Sequence, residues 1–356
     1  MRLHPTKGNK GFFFLKCHFP SSISLKKLLY LSFLVLPLPV FIFSAFLGTY
    51  HIDSLEIIKV IFSKFTPYQY NYPSMYDVVI FNIRFPRILL AMMTGAALST
   101  TGATFQGIFR NPLVSPYILG LSSGAVFGAA LCIAFLPHIP IQMGAFIFSL
   151  VALGLSYATS FNGRQSSTIT LVLAGVITSS VFGALLAIIQ FIVDEKSLQS
   201  IVYWNMGCLH TACWSKFLNS FPFIATGCIV IFLLRWKLNV LALGEEEARS
   251  VGMNVQQYKL IFILASSFAA SAAVAVAGII GLVGLIVPHL LRMIFGPDHR
   301  TLIPLSITFG AAFMALVDDV ARASFSFEVP VGVITTLLGA PFFLYLLRST
   351  KAGGWE

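Results

Sequence analysis

Four groups of residues could do chemistry in this sequence. Gly120–Leu121–Ser122–Ser123 has the Gly-x-Ser setting of a serine nucleophile, and His289 could act as its base; packing of small residues is the plainer alternative. Cys208 and Cys213, with His210 between them, could hold a metal or close a disulfide. None of the five cysteines (Cys17, Cys132, Cys208, Cys213, Cys228) forms a CxxC pair, so scattered small hydrophobes is the simpler reading. Arg84–Phe85–Pro86–Arg87 sets two cations at the start of an apolar run, which suits an acidic partner. Gly244–Glu245–Glu246–Glu247–Ala248–Arg249–Ser250–Val251–Gly252 opens on acids and ends on glycine, as a short capped helix does. It reads either as a solvated connector or as a helix that docks a partner. Two constellations are missing: no Gly-x4-Gly-Lys-Ser/Thr phosphate cradle and no His-Glu-x-x-His zinc motif occurs.

The elements that must position these residues follow from composition. Of 356 residues, 57% are hydrophobic and 10% charged, against roughly 25% charged in a soluble domain. The mean hydropathy is +0.86. So few charges cannot cover a water-exposed surface, and the chain is read as an all-α, polytopic membrane protein. Its spans are almost free of buried acids. Asp318 and Asp319 fall at the outer end of the ninth, and His289 and Arg292 toward the inner end of the eighth. An ion-driven carrier would carry such groups at mid-membrane. Energy must therefore come from a partner, or the protein is not an active transporter.

Apolar runs place spans at 28–50, 86–108, 113–136, 139–161, 168–193 and 217–234. The run 258–295 is 38 residues long and would reach about 57 Å as one helix. It must fold back, at Gly278, Gly281 and Gly284. Spans at 302–317 and 329–347 complete ten, with both termini cytoplasmic. A basic cytoplasmic tail, 1–27, precedes the polytopic transmembrane domain 28–348, and a short tail, 349–356, follows it. The Tyr-rich segment 51–83 is expected as an external loop with a short amphipathic helix near 52–65. Residues 194–216 are long enough for a surface helix, and 235–257 is expected as the cytoplasmic connector. In this topology 16 Lys+Arg lie inside and 7 outside, which satisfies the positive-inside rule. The net charge of +10 is thus loop and tail charge, with no basic patch on a folded domain for nucleic acid. Small residues at 94–97, 99–103 and 265–277 predict close helix packing.

Seven motifs then occur in a fixed order: Arg84–Phe85–Pro86–Arg87, Arg110–Asn111–Pro112–Leu113, Leu119–Gly120–Leu121–Ser122–Ser123–Gly124, the 244–252 loop, Gly281–Leu282–Val283–Gly284–Leu285–Ile286–Val287–Pro288–His289, Asp298–His299–Arg300, and Leu338–Gly339–Ala340–Pro341–Phe342–Phe343. Over about residues 28–348 the chain resembles the FecCD-type permeases of bacterial ATP-binding-cassette importers, which take up ferric siderophores, haem or cobalamin. The resemblance implies the type II importer architecture in a cell membrane. It implies a second permease subunit (a copy or a close paralogue), a cytoplasmic ATPase dimer and an external or periplasmic binding protein. It implies no metal, no catalytic residue and no cofactor on this chain, with ATP hydrolysed by the partner. By the same resemblance Arg84, Arg87 and Arg322 dock the binding protein. Gly244, Glu245, Glu246, Glu247, Ala248, Arg249 and Gly252 form the ATPase coupling loop, and Asn111, Pro112, Leu113, Ser167 and Thr168 form the cytoplasmic gate. Ferric siderophore is the expected cargo, with haem, cobalamin, or a metal or oxyanion such as molybdate as alternatives. An intramembrane serine protease through Ser122 is the reading from another class.

Overall fold

The computed structural model describes residues 23–66, 70–160, 168–323 and 328–349. Most of the basic tail, the gate residue Ser167 and all but the first residue of the C-terminal tail lie outside these.

The first crossing is a broken one. Helices α1 (Ile23–Val35) and α2 (Pro37–Phe46) meet at a 42° bend, where Pro37 removes an amide donor and starts the second helix. Outside, α3 (Ser54–Phe65) is the amphipathic helix expected near 52–65. Its Ile57 and Val60 pack into a small core with Ile52, Val79 and Ile80. The external segment is more helical than expected. From α4 (Ser74–Asp77) the chain runs through a π-helical turn, Val78–Arg84, into α5 (Phe85–Phe109) as one 36-residue helix. The cause of the turn's register is local. The Phe85 N–H bonds back to Ile80 O, and the next amide that could serve Phe81 O at that spacing is Pro86, which has none. The Trp214 indole donates to that carbonyl instead, at 2.8 Å.

After α5 the chain does not re-enter helix at 113 as expected. Arg110 ends α5 in the left-handed region, at φ 47°. Pro112 and Pro116 then hold residues 111 and 115 out of the helical basin, and α6 (Leu121–Phe135) begins only after Gly120. Next come α7 (Ile141–Ser160), α8 (Thr168–Ile192) and α9 (Glu195–Asn205), the last being the surface helix expected between spans. Its N-cap Asp194 accepts from the amides of Lys196 and Ser197. Helix α10 (Trp214–Leu243) overruns the expected span by nine residues at its cytoplasmic end. Arg235 and Lys237 are tolerated there because they lie over the rings of Phe232 and Trp236, at 4.1 and 4.0 Å. The connector therefore shrinks to α11 (Glu245–Ser250) and its flanks. The long apolar run divides as expected, into α12 (Val255–Ala277) and α13 (Val283–Phe295). Gly278 makes the break, at φ 71°, and a Cβ there would strike the Trp204 carbonyl. Helices α14 (His299–Ala323) and α15 (Val331–Ser349) follow.

Six of these helices are long and apolar enough to cross a membrane, and the bent α1–α2 pair supplies a seventh. The shorter apolar helices α6, α13 and α15 bring the set to the ten expected. An even number returns both ends to one side. The bundle is built around α5, which is buried along nearly its whole length and meets α10, α12, α13 and α14. Small residues permit this. Gly102 lies directly on the Gly284 backbone of α13, and Ser99 donates to Ser306 O of α14.

Candidate functional site

Three clusters gather the residues singled out above. At the outer end, the fork of Arg87 grips Asp318 at 3.0–3.2 Å, and its remaining nitrogen reaches Glu328 at 2.9 Å. Arg322 holds Asp319 at 2.5 Å and Ser44 O at 2.7 Å. Arg84 donates to Ala45 O and Tyr50 O, at 2.8 and 2.6 Å. The three arginines are only 3–7% exposed. The expectation that they stand at the surface to meet an acidic partner is thus corrected. Asp318, Asp319 and Glu328 neutralise the cluster from within, and the buried Arg84 guanidinium is satisfied by backbone carbonyls instead. The spacing Asp318–Asp319–Arg322 on one helix was a legible signal for part of this; Glu328 and Ser44 were not. Of these groups, Glu328 alone keeps a third of its side chain exposed.

The second cluster is α11. Gly244 enters it in a glycine-favouring conformation, at φ 143°, and Ala248 turns its methyl into the core. Glycine closes it as well: Gly252 sits at φ 79° and donates to Arg249 O at 2.9 Å, while the Met253 amide donates to Ala248 O. The outward face presents Glu246, Glu247, Arg249 and Ser250. Beside them stands Val251, an apolar knob that sequence reasoning passed over, at 68% exposure.

The third cluster divides. Asn111 folds its carboxamide back onto the Leu113 amide at 2.9 Å, an Asx turn that leaves Leu113 exposed. With Gln106, Asn239, Arg292 and Asp298 it lines a cytoplasmic cavity of about 460 Å³. Thr168 lies elsewhere, at the start of α8. Its hydroxyl accepts from the Lys259 ammonium at 3.1 Å and donates to Glu245 at 3.5 Å, while Lys259 also pairs directly with Glu245. Burial pushes the Glu245 carboxyl up, but the Lys259 hydrogen bond and charge, with Arg249 behind, outweigh it and hold it below its ordinary value. Among the described residues Asn111 and Thr168, both expected at the gate, thus have different hydrogen-bond partners, yet both segments reach α11. Arg110 packs its guanidinium at Gly244, and Thr168 is tied to Glu245. Lys259, buried at the start of α12, was missed because in sequence it is a lone cation opening an apolar run.

Other candidates separate from these. Ser122 makes no hydrogen bond among the described residues, and His289 stacks edge-on against Phe342, so no nucleophile–base pair is assembled. Cys208 and Cys213 are unbonded, and no group of three metal-ligating side chains occurs among the described residues. Burial pushes the Cys208 thiol up to about 11, which keeps it protonated at neutral pH.

The FecCD transport family matches residues 34–349. The chain belongs to the FecCD transport family. It is 39% identical over 311 residues to the molybdate import system permease protein MolB of Haemophilus influenzae, covering 86% of this chain and 91% of that one. It is likewise 39% identical over 281 residues to a Helicobacter pylori protein named as an iron chelatin transport system permease (78% of this chain, 85% of the other). Among solved structures it matches an inward-facing "metal-chelate type ABC transporter" with a TM-score of 0.81 and 34% identity, over 91% of this chain and 100% of that one. The protein is thus a multi-pass cell-membrane permease subunit of an ATP-binding-cassette importer. In this family the ATPase is a separate subunit, and a binding protein and ATPase are the general partners. Membership in a transport family displaces the protease reading.

Proposed function

We propose that this subunit imports a ferric siderophore, and that α11 couples ATP hydrolysis in the partner to opening of the cytoplasmic gate. The observation that carries the coupling is the Glu245–Lys259–Thr168 link, which joins α11 to α12 and to the mouth of α8. A push on the charged outer face of α11 then moves α8 directly, and the Arg110 contact carries it to the 111–113 turn. Ser167 lies outside the described residues, and its place in the gate rests on the resemblance alone. This chain binds no cofactor; the energy enters through α11.

The cargo reading rests on chemistry. The exposed side of α8 above Thr168 carries Ile169, Leu173, Val176, Ile177 and Val181. Paired with a second permease subunit, it lines a path without charge. Such a path suits a bulky chelate that is released by opening, and suits a bare oxyanion poorly, since nothing there replaces its hydration shell. The names of the Helicobacter relative and of the solved neighbour agree with a chelate; MolB keeps molybdate as the alternative.

Docking of the binding protein is narrowed to Arg87. A carboxylate of the partner would exchange with Glu328, the exposed member of the cluster, while Arg84 and Arg322 hold the outer ends of the helices together. Growth of a deletion strain on defined iron sources tests the cargo. Loss of growth on one ferric siderophore, restored by the gene, is the expected result. Full growth on every iron source with loss of molybdate-dependent growth would refute it.

A further inference from the structure

Where α1 leaves the cytoplasm it forms a groove with the end of α13 and the start of α14, a cavity of about 610 Å³. Its mouth holds Lys26 and Lys27, both exposed, and among the described residues neither has an acidic partner. Its walls are apolar: Tyr30 and Leu31 on one side, Phe295 on the other, with Thr301 at the rim. The wall is fixed by ring contacts, since Tyr30 and Phe33 both meet Phe295 edge-on, at 6.5 and 5.4 Å. Asp298, the acid nearest in sequence to the α13–α14 wall, is engaged by Asn239 and by the Arg300 amide. On the same turns of α1, Leu28 beside the groove and Leu31 in its wall are more than half exposed, as on a lipid-facing helix.

We propose that this groove binds one anionic phospholipid of the inner leaflet, its phosphate between Lys26 and Lys27 and an acyl chain along Tyr30, Leu31 and Phe295. The two-part shape decides the ligand class. A soluble acidic peptide or free phosphate would use the cations but leave the apolar slot empty, and a zwitterionic lipid would fill the slot without the charge. Each basic residue at an anionic surface contributes roughly fivefold, so the pair favours anionic over zwitterionic lipid by about thirtyfold. The bound lipid would fasten α1, the cytoplasmic half of the first crossing, beside its ring contacts with α13 and α14.

The test uses the full chain in phosphatidylcholine nanodiscs with phosphatidylglycerol added stepwise, followed by native mass spectrometry of the released protein. Wild type should retain one phosphatidylglycerol, and Lys26→Gln with Lys27→Gln should lose that preference by about thirtyfold. The Lys26→Arg, Lys27→Arg variant should keep it, which shows that the glutamine effect is one of charge. Equal retention by the glutamine variant would overturn the proposal. So would displacement of the lipid by millimolar inorganic phosphate, which marks a simple anion site, or by a poly-glutamate peptide, which marks a protein-docking surface.

Discussion

In the proposed coupling, Lys259 is the residue on which the link turns. Replacing it with Met keeps the length of the side chain and removes the ammonium shared by Glu245 and Thr168. Glu245 sits partly in water and can rehydrate, so the loss of stability should be small, about 1 kcal/mol. The expected effect is on coupling: in vesicles holding the complete importer, the complex carrying Lys259→Met should still hydrolyse ATP through its ATPase subunits while transporting at least tenfold less cargo. Exchanging the charges, Lys259→Glu with Glu245→Lys, should recover much of the transport; wild-type stoichiometry in Lys259→Met would refute the link. The pH dependence follows from the same pair. The fold holds the Glu245 carboxyl below its ordinary 4.5, so the link is complete above that pH and is lost only as pH falls through the lower folded value. Coupling should therefore be flat from neutral pH down to the ordinary carboxylate range. Arg87 behaves differently because it is buried. Arg87→Ala leaves Asp318, 2% exposed, with only the longer Arg322 contact at 3.9 Å, and should lower unfolding free energy by about 3 kcal/mol, the low end for a broken buried pair, measured by thermal or denaturant unfolding in detergent. Unchanged stability would show the cluster to be solvated. In the sequence the three arginines stood out by type and place, but their environment did not. The acids that neutralise Arg87 lie 231 and 241 residues further along.

Elements were legible wherever apolar length or a backbone signal set them. The amphipathic α3, the surface helix α9, the break at Gly278 and the capped α11 all follow from periodicity, glycine and charge order. Misplaced boundaries share one physical origin, since interactions distant in sequence override local polarity. Helix α10 continues past Arg235 because aromatic rings lie under its cations, and the Tyr-rich loop gives way to helix at Ser74 because α3 offers its segment an apolar face. In the other direction, Pro112 and Pro116 delay α6 through an apolar stretch that hydropathy alone assigns to a span. The exposed knob on α11 carries the element-scale prediction. Val251→Asp should weaken co-purification of the ATPase subunit with little change in melting temperature, because the side chain is largely exposed in the isolated chain. A large drop in melting temperature with normal co-purification would instead place Val251 in the fold's own packing.

At the scale of the molecule, charge asymmetry and ten crossings fix which ends of the helices face the cell. They place α11 and the 111–113 turn inside, and the Arg87–Asp318–Glu328 cluster outside. In the proposed coupling, a signal entering at α11 is short-range on the cytoplasmic side, through Lys259 to α8. Its path to the outer cluster runs the length of α5 and α14, which close the bundle through small residues. The most direct test is uptake of radio-iron-labelled ferric siderophore into proteoliposomes holding the complete importer, with ATP inside and the binding protein outside. The account predicts saturable accumulation that needs both ATP and the binding protein. ATP-driven accumulation of molybdate with none of the chelate, or uptake indifferent to ATP, would contradict it.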